Sequence, residues 1–319
     1  MQPSNTLLPA VTAADNAPGP YSHPDATSHP KTWQEEDEEL YPLHLTLGDH
    51  ENGGIVPVGW VRPRVVDFLL NHWPADVLGE QEILEVTTEC VYFAEWVLQD
   101  GTEGMSREIA RLAVFMRDNG YFTECLEGWR NELYAIYGDI NSSYFSSGRA
   151  KTTSIAGRNH VFSIERAAAA IFGLATFGVH MTGESEQDSP MLSLVLNEVP
   201  VLVAYEGEGS TMKVWVPRRS ATKATYIYDL KLPSQDSPDY VKLSPLDDEV
   251  ESFELIPVLD LMESLRNDAY AFKPNCGLII IDFLIRHGFI HAENEPNLIE
   301  MMNRCHRNLA EYVAMPLRG

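Results

Sequence analysis

The chain has 319 residues, 44% of them hydrophobic and 10% aromatic, enough apolar material for one large or two modest domains with a real core. Disorder throughout is therefore excluded. Its 47 Asp and Glu against 23 Lys and Arg give a formal charge of −24, which excludes a nonspecific attraction to nucleic acid or to anionic lipid.

From Met1 to about Thr32 the sequence is dominated by Pro, Ala, Ser, Thr, Asn and His, and it then runs into Glu35, Glu36, Asp37, Glu38 and Glu39. Residues 1–50 are expected to form a disordered acidic tail. The alternating stretch Ile55 to Val61 and the apolar segment Val65 to Trp73 open the first folded region. Ser106 is placed as the N-cap of a helix whose stripe is Ile109, Leu112, Ala113 and Met116 and whose end is Gly120. A Ser/Gly-rich loop from Asn141 to Gly157 is expected to be flexible. A buried stretch from Ile171 to Thr182 leads into an acidic linker, then into a strand at Met212 to Val216 and another at Tyr226 to Leu232, stopped by Pro233.

The last third is the most regular. Pro257 to Arg266 reads as a short amphipathic helix, and Pro274 opens a helix from Cys276 to Arg286 that is apolar all round and so expected to be buried. His287 and Gly288 close it as last-turn cation and C′ glycine. A final helix starts near Pro296, with Ile299, Met302, His306, Leu309 and Val313 on one face. Strands mixed with helices predict an α/β or α+β domain preceded by a smaller one. Four scattered cysteines, Cys90, Cys125, Cys276 and Cys305, form no CxxC pair and read as reduced thiols. No apolar run reaches the roughly 18–20 residues of a membrane helix, and the N-terminus has neither a secretory nor a transit-peptide pattern. The expectation is a cytoplasmic protein without membrane or nucleic acid partners.

The candidate chemistry starts with Arg218, Arg219 and Lys223, three cations within six residues at the end of a strand. Guanidinium forks match phosphate oxygens, so this loop is a candidate site for a di- or triphosphate; the alternative is a solvated basic loop. His287 and His291 stand four apart, but Gly288 between them breaks the helix that would align them on a metal, which favours cap and loop roles. His306 on its apolar face reads as a satisfied core histidine.

Several stretches resemble the fungal and plant Nudix proteins described as thiamine pyrophosphokinase-related, in which an uncharacterised N-terminal domain precedes a Nudix domain. The likeness is carried by Gly128-Trp129-Arg130-Asn131-Glu132-Leu133-Tyr134, Ser163-Ile164-Glu165-Arg166-Ala167-Ala168, Phe177-Gly178-Val179-His180-Met181-Thr182, Trp215-Val216-Pro217-Arg218-Arg219-Ser220 with Thr222-Lys223 and Thr225-Tyr226, and Phe272-Lys273-Pro274-Asn275-Cys276 with Asp282-Phe283-Leu284-Ile285-Arg286-His287-Gly288. The resemblance implies an α/β (α+β) protein: an N-terminal domain over 51–168 and a Nudix-type α/β/α sandwich over 169–313. It also implies metal-dependent hydrolysis of a phosphoanhydride in a thiamine diphosphate-like compound or nucleoside diphosphate derivative. Mg²⁺ or Mn²⁺ would sit on clustered glutamates, and Arg219 and Lys223, with Arg218 beside them, would hold the phosphates of a small-molecule diphosphate. Trp129, Arg130 and Glu132 are candidates to line a cleft, against a core role for Trp129.

The sequence departs from that pattern at the metal. Relatives carry the Nudix box after the Thr-Tyr of the basic loop, whereas here Tyr226 runs straight into Ile227-Tyr228-Asp229-Leu230. The one Arg-Glu pair elsewhere, Arg107-Glu108, runs on into Ile109-Ala110-Arg111-Leu112 and is not followed by two glutamates. The sandwich is therefore expected to be truncated and the chain inactive as written, with a phosphate-holding pseudoenzyme as the alternative. Gly183 to Gly209 reads as extra material. Among Asp247, Asp248, Glu249 and Glu251, the last two are the metal candidates, against a solvated acidic loop.

Overall fold

The computed structural model describes residues 6–14, 40–148, 158–186, 190–197, 210–216, 221–231, 238, 256–306, 310 and 312–317. In chain order the elements are α1 (Leu8–Ala14), β1 (Tyr41–His44), α2 (Leu47–Glu51), β2 (Gly59–Val61), α3 (Pro63–Asn71), α4 (Ala75–Leu78), β3 (Leu84–Val86), β4 (Val91–Phe93), α5 (Glu95–Gln99), α6 (Gly101–Asp118), α7 (Thr123–Leu126), β5 (Leu133–Tyr137), α8 (Ser143–Ser146), β6 (His160–Glu165) and α9 (Arg166–Ala169). They continue as β7 (Ala175–Glu186), β8 (Pro190–Asn197), β9 (Ser210–Val216), β10 (Ala221–Lys231), β11 (Ile256–Pro257), α10 (Val258–Asn267), α11 (Pro274–Arg286) and α12 (Leu298–Cys305). The class is α+β. Among the described residues no helix is long and apolar enough to cross a membrane, and none of the four cysteines is in a disulfide.

The chain divides into two units, each with its own core. The first holds the described residues of 40–176, 221–222 and 310–317. Its four-stranded sheet has the order β2-β1-β4-β3, with β1 antiparallel to β2 and parallel to β4. A separate antiparallel pair, β5 with β6, runs in register from Leu133↔Glu165 to Ile136↔Phe162 and shifts at Tyr137. α6 lies on β6 and buries Ile109, Leu112, Ala113 and Met116, as its spacing predicts, and Gly120 (φ 74°) ends it. Ser106 is not its N-cap. The helix starts five residues earlier at Gly101, and the Ser106 hydroxyl donates to Thr102 O at 2.7 Å and accepts from Ser163 N at 2.9 Å, so it fastens α6 to β6. The apolar run Ile171, Phe172 and Leu174 joins this first core, which therefore extends past residue 168. The last residues return to it: Ala314 N donates to Pro57 O, and Trp60 Nε1 donates to Tyr312 O.

The second unit holds residues 6–14 and the described residues of 177–216 and 223–306. Its five-stranded sheet has the order β11-β8-β7-β10-β9. The stretch expected as an acidic linker forms the hairpin β7–β8, paired from Val179↔Asn197 to Glu186↔Pro190. α11 follows its reading closely: Pro274 sits in its first turn, Asn275 to Leu284 are all buried, His287 is its C-cap and Gly288 has φ 75°. α12 does not. It ends at Cys305 and buries Met301 and Cys305, leaving Ile299 76% and Met302 43% exposed. The apolar residues of a helix this short fix its rotation poorly, and the face four residues apart won over the face read from the sequence. Within the stretch expected to be a disordered tail, Leu8–Ala14 is a helix with Ala10, Val11 and Ala14 buried, and Tyr41–His44 is a sheet strand.

His44, on the central strand β1, is 5% exposed with Nδ1 unpartnered, and its ring lies 5.5 Å from that of His50. Burial first, then the His50 charge, push its pKa from 6.5 to about 4, against a smaller raising effect of Asp49. The unfolded chain therefore binds a proton between those values that the folded one refuses. Stability should fall as pH drops from 6.5 to 4, by about 3 kcal/mol from this group. In urea titrations across that window, His44→Gln should show a shallower pH slope than the wild type; identical slopes would remove His44 as the cause.

Candidate functional site

α11 is apolar on all sides, and Asp282 is the one carboxylate within it. At 1% exposure that carboxylate needs partners, since an unpaired buried charge costs several kcal/mol. Arg286, one helical turn later, donates from Nε to Asp282 Oδ2 at 2.7 Å. His306, just past α12, brings Nε2 to 3.2 Å from Asp282 Oδ1. Arg286 also grips Asp229 of β10 with both terminal nitrogens, Nη2 to Oδ1 at 3.1 Å and Nη1 to Oδ2. His287 completes the group, its Nε2 3.3 Å from Asp229 Oδ2 and its ring stacked on Phe283 with centroids 4.0 Å apart.

The electrostatics follow from these contacts. Burial opposes ionisation of Asp229 most strongly, but the hydrogen bonds from Arg286 and His287 together with their charges outweigh it and hold its pKa below the usual value. For His306 the Asp282 carboxylate, above all, raises the pKa; burial lowers it, and the Met302 carbonyl adds to the rise. His306 Nδ1 lies 3.0 Å from Met302 O, which can only accept, so both ring nitrogens face acceptors. The carboxylate thus favours the protonated ring, and His306 acts as a charge partner for Asp282. The cluster is a closed clasp of β10, α11 and the end of α12.

No family model matches the chain. It is 30% identical to Nudix hydrolase 20, chloroplastic, of Arabidopsis thaliana over 60% of this chain and 55% of that protein. Nudix hydrolase 24, chloroplastic, of the same plant is 28% identical over 65% of this chain and 61% of its own length. The uncharacterized protein YJR142W of Saccharomyces cerevisiae is 26% identical over 58% and 63%. Two of these three relatives bear the name Nudix hydrolase. The chain spans a little over half to just under two thirds of each relative's length.

Arg218, Arg219, Glu249 and Glu251 lie outside the described residues. Lys223 falls in β10, six residues from Asp229, about 20 Å along the strand at ~3.3 Å per residue, so the clasp and the basic loop belong to opposite ends of β10. Among the described residues no three His, Cys, Asp or Glu side chains converge as a metal ion requires. Mg²⁺ or Mn²⁺ finds no fit there. His291 has a loop role: its backbone N donates to Asn294 Oδ1, and its Nδ1 accepts from Glu293 N. Glu108 of the Arg107-Glu108 pair is 3% exposed and held by Arg107 at 2.7 Å and by Arg111.

Two of the stretches that carry the resemblance turn out to bind each other. Arg166 N donates to Glu132 O at 2.8 Å, Arg166 Nη1 pairs with Glu132 Oε2 at 3.0 Å, and the buried Glu165 accepts from Arg130 N at 2.9 Å. Trp129 is partly buried against the first core, donates to Asn131 Oδ1 and lies under the Arg117 guanidinium at 4.3 Å. Their spacing serves the β5–β6 pair. Sequence reasoning took Arg286, His287 and His306 for terminal or core residues and missed Asp282 and Asp229. The i, i+4 spacing of Asp282 and Arg286 could have shown one pair; nothing local connects Asp229, 57 residues away.

Because His306 has a raised pKa when folded, its contribution is complete below pH 6.5 and is lost as pH rises through the folded value. The stability gap between the wild type and His306→Gln should be widest near pH 6 and narrow towards pH 9 in urea denaturation. A gap constant over that range would show that His306 contributes by packing and not by charge.

Proposed function

We propose that this chain is a Nudix-related protein that holds the diphosphate of a small, thiamine diphosphate-like or nucleoside ligand through Arg218, Arg219 and Lys223 and, as written, does not hydrolyse it. On this reading residues 169–313 are a truncated Nudix-like domain, 51–168 form its N-terminal companion, and the protein works in the cytoplasm. The observation that carries the reading is the break after Tyr226. Words of the family pattern stand on both sides of it, yet no G-x5-E-x7-R-E-x2-E-E-x-G box occurs anywhere in the chain. Support comes from the alignment with Nudix hydrolase 20: 60% of the chain, about 190 residues, takes part in a match 233 positions long, so gaps fall on this chain's side.

The chemistry divides along the same line. Guanidinium and ammonium groups bind a diphosphate without a metal, because the charge-assisted hydrogen bonds are strong by themselves. Attack of water at phosphorus needs the developing charge neutralised, and losing several metal-binding carboxylates together removes several kcal/mol of that stabilisation. Binding therefore survives the missing segment and turnover does not.

Calorimetry with inorganic pyrophosphate and with thiamine diphosphate should show binding that Arg219→Ala and Lys223→Ala each weaken about tenfold, since a charge-assisted contact contributes about 1.5–3 kcal/mol. Phosphate release in Mg²⁺ should stay at background. Turnover by the purified chain, or a transcript encoding the box between the codons for Tyr226 and Ile227, would overturn the reading.

A further inference from the structure

Residues 312–317 belong to the first unit and form neither helix nor strand there. Val313 and Ala314 are 0% and 5% exposed, yet neither is part of either apolar core, so the segment is buried in a seat of its own. The polar contacts of that seat all go to the segment's backbone. Trp60 Nε1 donates to Tyr312 O at 2.7 Å, and Ala314 N donates to Pro57 O at 2.9 Å. Asn159 holds both sides of Pro316: its Nδ2 donates to Met315 O at 2.8 Å and its Oδ1 accepts from Leu317 N at 3.0 Å. Asn159 Nδ2 also donates to Gly138 O at 2.8 Å.

The β5–β6 pair positions this asparagine. Gly138 follows β5, Asn159 precedes β6, and Gly138 N donates to Asn159 O at 2.9 Å. The register shift between Ile136 and Tyr137 lies beside them, and such irregularities re-aim side chains. At 1% exposure Asn159 would be left with an unmet donor and acceptor if the segment departed, which is costly for a buried amide. A carbonyl and the N–H two residues on are the groups a strand offers to a parallel neighbour, so the Asn159 amide stands in for one residue of such a strand. Pro316, between them, brings no N–H that would need a partner on its other side.

We propose that Pro57, Trp60 and Asn159 form a peptide-binding groove on the first unit, that the groove reads a backbone carrying two buried compact apolar side chains followed by Met-Pro, and that residues 312–317 are its built-in ligand. Backbone hydrogen bonds for affinity and buried side chains for specificity are how sheet-edge peptide sites work. A segment held by four backbone hydrogen bonds and two small side chains opens at less free energy than the unit needs to unfold. Being part of the same chain, it meets the groove at an effective concentration on the order of millimolar, so a free peptide of the same sequence enters only where the built-in one is weakened.

Hydrogen exchange on the full chain separates a seated ligand from a part of the fold. Asn159→Ala, and Trp60→Phe, which keeps the ring and loses the N–H, should each speed exchange over residues 312–317 at least about fivefold, while α6 exchanges as in the wild type. Equal acceleration of α6 would mean that the segment opens only with the whole unit, and the groove would be overturned. The second measurement adds a fluorescent, end-capped synthetic peptide of residues 312–317 to the full chain. Leu317→Pro removes the N–H that Asn159 accepts, at a position 42% exposed, and should bind the peptide at least about threefold more tightly than the wild type does. Adding Asn159→Ala to Leu317→Pro should abolish that binding. No binding to Leu317→Pro, or binding that survives Asn159→Ala, would sink the proposal.

Discussion

A carboxylate inside an apolar helix is the constraint around which the second unit is arranged. Asp282 is 1% exposed among isoleucines and leucines, and such a charge is tolerated only where cations reach it. Arg286 and His306 do so from opposite directions, one from the same helix and one from the residue after α12. Arg286 has donors to spare and spends them on Asp229, which attaches β10 to the helix. A hydrophobic residue at 282 would pack as well, but it would leave β10 and α12 without a shared anchor. The charge fixes register where apolar packing alone permits sliding.

The same economy explains which sequence expectations held. α11 was legible in full because its stop signals are local: a proline in the first turn, a cation at the end, a glycine with positive φ after it. α6 was legible in its stripe and its end but not in its start, since Ser106 carries the signature of a cap while its hydroxyl is used between Thr102 and Ser163. α12 misled because eight residues with apolar side chains on more than one face allow two rotations, and the choice depends on α11 and α1. For α1 the local sequence carries almost no signal. Its Pro- and Ala-rich surroundings read as tail, and only the groove prepared by residues about 270 positions later turns it into a helix.

The site was legible in a different sense. Words such as Trp129 to Tyr134 and Ser163 to Ala168 stand out because they are unusual, and unusual residues invite a chemical reading. The geometry gives them to each other: Glu132 with Arg166, Glu165 with the backbone of Arg130. Distinctive family words thus mark demanding folds as readily as they mark active sites. His287, read as a last-turn cation, and Arg286 beside it are the residues on which a tertiary clasp is built.

That division bears on β10, the strand that carries both Lys223 and Asp229. Tyr226 and Ile227 sit in the middle of β10. Ile227 is 2% exposed in the core, and Asp229, two residues on, is held by Arg286 and His287. The clasp thus holds β10 through its second half, from a helix more than forty residues downstream, in addition to the pairing of β10 with β7 and β9. Lys223, one of the cations proposed to hold phosphate, belongs to its first half. The clasp and the proposed ligand contact therefore depend on different halves of one strand.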